Sequence, residues 1–270
     1  MKAIEIMRKL FELAAEQLPN YETEFARPCD SLKAGDPDVE TSKVAVSMFA
    51  TPDVVRQAKE WGAQLLIVHE PTYYNHMDVH SDEKLECEKR KFIEDSGLTI
   101  YRYHDHPHYT KPDVIAAGQL RAFDLKGRIE YTDVFDLVRI HLDQPLTPVE
   151  LSKIIEKNCN IKHLKICGTR DEKCSVVSCM FGTPGVSVFE ELKNEKCEIL
   201  LTGEAQEWSL GEYARDASQL GYKKALIIMG HIGSERDGMI YTADMLKDMI
   251  PSLDVKYFEC GEVYTYTDSE

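Results

Sequence analysis

At 270 residues the chain can form one large domain or two of about 130 residues each, with ample core for either. Hydrophobic residues make up 43% and charged residues 29%, an ordinary balance for a soluble globular protein. The formal net charge of -15 argues against general nucleic-acid binding, which relies on Lys and Arg neutralising phosphates, but leaves room for a nucleotide held through a metal.

Met1 to Ala15 reads as an amphipathic helix, with Ile4, Met7, Leu10, Phe11 and Leu13 apolar. It lacks the unbroken apolar stretch and small-residue cleavage site of a signal peptide. No apolar run approaches the roughly 18 residues of a membrane span, so no membrane association is expected. Eight scattered cysteines include no C-x-x-C pair, and a reducing cytoplasm is the expected setting. GDPD at 35–38 reads as a turn.

An internal repeat follows. VAVSMFATP at 44–52 returns as SVVSCMFGTP at 175–184. In each copy Thr-Pro reads as a helix start, the hydroxyl capping and proline standing where its missing N–H costs nothing. Each predicted helix leads to a second apolar run ending in Glu: QLLIVHE at 64–70 and EILLTGE at 198–204. Strand, capped helix and strand have the dimensions of a βαβ crossover, with parallel strands buried on both faces.

The α/β alternation continues between and after the copies. A polar helix at about 82–96 precedes a strand, LTIYRY, at 98–103. DVFDLVRIHL at 133–142 reads as a strand, and TPVELSKIIEKN as a helix with Thr147 as cap, Pro148 at its first position and Glu150 completing a capping box. A helix near 207–220 stops at Gly221, and KALIIM at 224–229 is a strand. The aromatics Tyr257, Phe258, Tyr264 and Tyr266 read as a terminal strand and tail that pack. The fold class is α/β: two similar domains related by the repeat, with parallel or mixed sheets. The domains are expected at 1–115 plus 229–270, carrying most metal ligands, and at 116–228.

Ligands of open α/β sheets gather at the carboxyl ends of parallel strands. Three predicted strands end in groups able to bind metal: His69 and Glu70; His104, Asp105, His106 and His108; His231, Ser234 and Glu235. Imidazole and carboxylate together suit Zn, Mn, Fe or Ni, and no thiolate stands among them to bias the choice. His69 and Glu70 are adjacent, so at a strand end they can splay toward two ions about 3.5–4 Å apart. His104/His108 and His231/Glu235 are four apart, which puts each pair on one face of a helical turn. Three unrelated polar loops are the alternative. Ser234 lacks the G-x-S-x-G of a nucleophile elbow. Glu204 is the repeat counterpart of Glu70; a solvated helix start is the plain alternative for it.

These motifs resemble those of the Nif-three-like dinuclear metal-binding proteins, often labelled GTP cyclohydrolase I type 2. KVAVSMFATPDVVRQAKEWGAQLLIVHEP is similar to their strand–helix–strand leading to His-His-Pro, and YRYHDHPH stands in place of His-Thr-Asn-Leu-Asp. ILLTGE resembles their Thr-Gly-Glu segment, and GHIGSE their Gly-His-x-x-Ser/Thr-Glu. Four motifs in order cover most of the chain. Glu70 replaces a histidine of that pattern and His108 an aspartate, an exchange that keeps one imidazole and one carboxylate.

The expected metal ligands are therefore His69, Glu70, His108, His231 and Glu235, holding two divalent ions. His104, left over, is expected to shuttle protons with a pKa near neutral; Glu204 joins it as a candidate catalytic group. Asp30 and His106 have no assigned role. The resemblance implies a homo-hexamer, a trimer of dimers. The expected function is a metal-dependent hydrolase acting on an unidentified, nucleotide-like small molecule; the alternative is a non-catalytic metal-binding or metal-buffering scaffold.

Overall fold

The computed structural model describes residues 1–22 and 24–267. The chain forms two compact units, Met1–Ile115 with Gly238–Glu270, and Ala116–Asp237.

In the first unit, α1 (Ala3–Glu12) buries Ile6, Met7, Leu10 and Phe11. The sheet is built from β1 (Leu32–Ala34), β2 (Lys43–Ser47), β3 (Leu65–Val68) and β4 (Thr99–Arg102), with the late strand β11 (Asp254–Tyr257) at one edge, in the order β1-β4-β3-β2-β11. β11, β2, β3 and β4 run parallel, and β1 is antiparallel to β4. β3, an unbroken apolar run, and β4 are wholly buried. α2 (Pro52–Trp61) crosses from β2 to β3; Thr51 accepts from Val54 N at 3.2 Å and Gly62, at φ +87°, stops it. α3 (Lys84–Ser96) leads to β4, which feeds α4 (Asp105–His108), a single turn.

The chain leaves this unit within α5 (Val114–Phe123). The second unit holds β5 (Gly127–Tyr131), β6 (Val138–Leu146), α6 (Pro148–Asn158), β7 (Lys165–Gly168), β8 (Cys174–Met180), α7 (Ser187–Lys193), β9 (Ile199–Thr202), α8 (Glu212–Gln219) and β10 (Ala225–Ile228). Its sheet runs β5-β6-β8-β9-β10-β7, with β8, β9 and β10 parallel and the other neighbours antiparallel. α9 (His231–Met249) opens in this unit and continues into the first, so His231 and Glu235 belong to the second unit.

Both repeat copies are parallel strand–helix–strand units, β2-α2-β3 and β8-α7-β9. They differ at their Thr-Pro. Thr183-Pro184 opens no helix: Gly182 and Gly185 have φ of +60° and +66°, and α7 begins only at Ser187, behind Val186. The expected strand at 133–142 also shortens. A turn holds Val134 and Leu137, whose N–H donates to Val134 O at 3.2 Å, and β6 begins at Val138. The helix near 207–220 opens with a wider π-helical turn, Glu207–Gly211. Of the C-terminal aromatics, Phe258 packs in the core, whereas Tyr264 is 77% exposed, because β11 ends at Tyr257. Among the described residues, no helix is long and apolar enough to cross a membrane.

Candidate metal centre

Parallel register brings the carboxyl ends of β3 and β4 side by side, Val68 opposite Arg102. The next residues continue the match: Tyr103 N donates to Val68 O at 2.8 Å, while His69 N and Glu70 N donate to Met48 O. His69, Glu70 and His104 consequently cluster, with one ligand atom of each within 4.8 Å of the others. His69 and His104 stack with ring centroids 4.7 Å apart, and the His108 ring lies 5.5 Å from that of His69.

Each imidazole is held by Nδ1. That of His69 faces the carbonyl of Tyr103 at 3.0 Å, that of His104 faces Asp105 Oδ1 at 2.7 Å, and that of His108 faces Asp113 Oδ2 at 2.8 Å. A carbonyl or carboxylate only accepts, so each Nδ1 carries the hydrogen. This is the arrangement that fixes the tautomer and orientation of metal-ligating histidines. Nε2 of His69 and of His104 stand 4.0 Å and 3.9 Å from Glu70 Oε1. The buried guanidinium of Arg102 lies 3.9 Å from Glu70 Oε2 and donates Nε–H to the carbonyl of His69 at 3.1 Å. Imidazole nitrogens and a carboxylate at such separations fit the donor set of a divalent transition metal.

Burial pulls the His104 imidazole below its ordinary pKa, the Asp105 carboxylate only partly opposing it. The ring, read from the sequence as a proton shuttle, stands beside His69 and Glu70.

Asp30, without a role in the sequence reading, is fully buried and organises α4. Its Oδ1 accepts the backbone N–H groups of His104 and Asp105, both at 2.8 Å. Its Oδ2 accepts the N–H of His106 at 2.7 Å and its Nδ1–H at 2.6 Å. Burial pushes this carboxyl up, but the His106 hydrogen bond and charge, with backbone donors, hold it below its usual value. His106 lies in the core, stacked on Phe11 at 4.1 Å. A lone Asp far from the histidines in sequence carries no signal of this capping.

In the second unit β8, β9 and β10 deliver a separate group. Glu204 N donates to Gly182 O at 2.9 Å and Gly230 N to Gly203 O at 3.0 Å, which sets Glu204 beside the start of α9. Nδ1 of His231 faces Glu204 Oε1 at 2.6 Å and Thr183 Oγ1 at 3.2 Å, and its Nε2 lies 3.2 Å from Glu235 Oε2. Glu204, a candidate catalytic group by sequence, thus orients His231. A Cβ at Gly182 would stand 2.4 Å from Glu235 Oε1, so the glycine that replaces Ala50 of the first copy makes room for that carboxylate. The Ser234 hydroxyl donates to His231 O at 2.8 Å and accepts from Gly182 N at 3.0 Å, a structural use and not a nucleophile's.

A family model described as Duf34/NIF3 (NGG1p interacting factor 3) matches residues 20–262. A curated protein of Clostridium perfringens (strain 13 / Type A), named GTP cyclohydrolase 1 type 2 homolog, is 22% identical over 242 residues, 86% of this chain and 87% of the relative. A solved Bacillus cereus protein related to NIF3 matches with a TM-score of 0.76 at 14% identity, covering 99% of both chains. The solved protein ybgI, described as of unknown function, matches with a TM-score of 0.78 at 18% identity over 98% of this chain and 100% of its own. At these identities the solved structures speak for the fold.

Proposed function

The chain belongs to the Duf34/NIF3 family, and on that premise we propose that it binds two divalent metal ions and uses them in hydrolysis. The observation that carries the reading is the set of three imidazoles in the first unit, each with Nδ1–H tied to an acceptor. The ligands read from the sequence, His69, Glu70, His108, His231 and Glu235, are part of this proposal, and His104 stands beside His69 and Glu70. Zn, Mn, Fe and Ni all suit such nitrogen and oxygen donors. Bound there, such ions would supply a water of lowered pKa and polarise an electrophilic substrate. Asp105 and Asp113 keep two rings in register, Glu204 does the same for His231, and the Arg102 guanidinium lies 3.9 Å from Glu70 Oε2. The substrate class is a nucleotide-like small molecule, a class suggested by the name of the Clostridium relative. The homo-hexamer implied by the sequence resemblance is part of this proposal.

A second reading, a protein that holds metal without turning over a substrate, is favoured by burial: His69 is 0% and Glu70 5% exposed. Metal analysis of full-length protein purified without chelator is expected to find two divalent ions per chain. His69→Ala and His231→Ala should each lower that figure, and unchanged content in both would overturn the ligand set. Water-proton relaxation of the Mn-loaded protein separates the two readings. An exchanging water means an open coordination position, and its absence favours the holder.

A further inference from the structure

Beside the histidine cluster, still within the first unit, lies a donor set of different character. Cys29 Sγ is 3.3 Å from His76 Nε2 and 3.8 Å from Met77 Sδ. Cys29 is buried, whereas Met77 is 50% exposed, so the group opens to solvent on the thioether side. Asp105 is the nearby oxygen donor, one of its carboxylate oxygens lying within 4.8 Å of the Cys29 and His76 donor atoms. Both its oxygens are engaged, Oδ1 by His104 Nδ1 at 2.7 Å and Oδ2 by Arg27 Nε at 3.0 Å. What remains is one thiol, one thioether and one imidazole.

The segment that presents His76 and Met77 is held in shape. Asn75 donates to the carbonyls of Tyr73 at 2.9 Å and Val79 at 2.6 Å, and accepts from Val79 N at 3.1 Å. Asp78 accepts from Tyr73 N at 2.6 Å and pairs with Lys33 at 3.6 Å, while Arg102 donates to the carbonyl of His76. The donors therefore do not have to be gathered when an ion arrives.

We propose that Cys29, His76 and Met77 form a binding site for one soft monovalent cation, Cu(I). Two sulfurs each about 2.3 Å from one ion at a tetrahedral angle stand about 3.8 Å apart, the separation found here. Thiolate and thioether together select Cu(I) over the harder divalent ions suited to the His/Glu cluster, and the Met77 thioether is what turns the choice away from Zn. Binding releases the Cys29 thiol proton to water as the Cu–S bond forms; no electron moves. The His76 ring lies 5.6 Å, edge to face, from that of His104, so the soft site adjoins the cluster without sharing its imidazoles.

The test is anaerobic titration of full-length, divalent-loaded protein with Cu(I) against bathocuproine disulfonate. One tight equivalent is expected in the parent and in the Cys87→Ser control. Cys29→Ser should lose it and Met77→Leu should bind at least tenfold more weakly, with divalent content in the same samples unchanged. Parent-like Cu(I) affinity in both variants would overturn the site. Should Cys29→Ser not fold, Met77→Leu and copper X-ray absorption still decide: two sulfurs and one nitrogen around copper support the site, and a first shell lacking the second sulfur sinks it.

Discussion

Asp30 collects four hydrogen bonds on two oxygens, all from residues 104–106. The three backbone donors are those a helix start leaves unmatched, so this one carboxylate both caps α4 and fixes where His104 and His108 emerge. Asp30→Ala would strand these donors together with the buried His106 ring, and is expected to cost about 3–5 kcal/mol. Asp30→Asn should fare little better. Oδ2 accepts two donors, and an amide N–H₂ placed there would face both of them. Urea unfolding of the three proteins checks this, and a near-parent Asn variant would show that the charge and second acceptor are dispensable. Gly182 illustrates the converse case, a residue whose value is the space it leaves for Glu235.

At the scale of elements, the two repeat copies share strands but not helix starts. Thr51 caps α2 through Val54 N, whereas Thr183 turns its hydroxyl to the His231 ring. Thr51→Ala is expected to lower stability by about 1 kcal/mol, the usual worth of an N-cap. Thr183→Ala should leave unfolding free energy within about 0.5 kcal/mol of the parent, since no helix begins there. Denaturant midpoints of both variants measure this, and equal losses would mean that Thr183 stabilises its loop as strongly as a cap. The divergence has a local cause: Gly182 and Gly185 flank Thr183-Pro184 in left-handed backbone, which bends the chain away from a helical path.

Across the whole molecule, several perturbed carboxylates act in one direction on acidification. Burial pushes the Glu198 carboxyl up, but Lys223 and the N–H groups of Ser175 and Val176 outweigh it and hold it below its ordinary value. Asp30 and Glu130 are also lowered, Asp30 mainly by His106 against its burial and Glu130 by its hydrogen bond with His141. A folded pKa below the unfolded one means that the unfolded chain takes up protons first. These groups thus add stability above the unfolded carboxyl values of about 4, and it is lost as pH falls through the folded values. The melting temperature should fall steeply below about pH 4, and Glu198→Gln should have a lower melting temperature at neutral pH and a flatter acid limb. Parallel acid limbs in the two proteins would show that Glu198 does not contribute to the loss.

How much of this was legible in the sequence follows from the range of the interactions. Apolar runs such as LLIV and ALII specify buried parallel strands, and their ends placed His69, Glu70, His104 and His231 where ligands gather, because strand burial and chain direction are local properties. Thr147, Pro148 and Glu150 announced α6 for the same reason, a capping box lying within four residues. The helices α5 and α9 went unread, their apolar positions being less regular than the strand runs around them. What only the tertiary structure decided depends on partners distant in the chain. Asp30 reaches residues 104–106, Glu204 steadies His231, and Cys29 meets His76 and Met77. The setting of His104 is partly of this kind: its neighbour Asp105 holds Nδ1, but the register of β4 against β3 sets its imidazole beside His69 and Glu70. Residue order sets which groups stand at strand ends, whereas the neighbours of each ring and the space beside each carboxylate arise only when separate strands lie side by side.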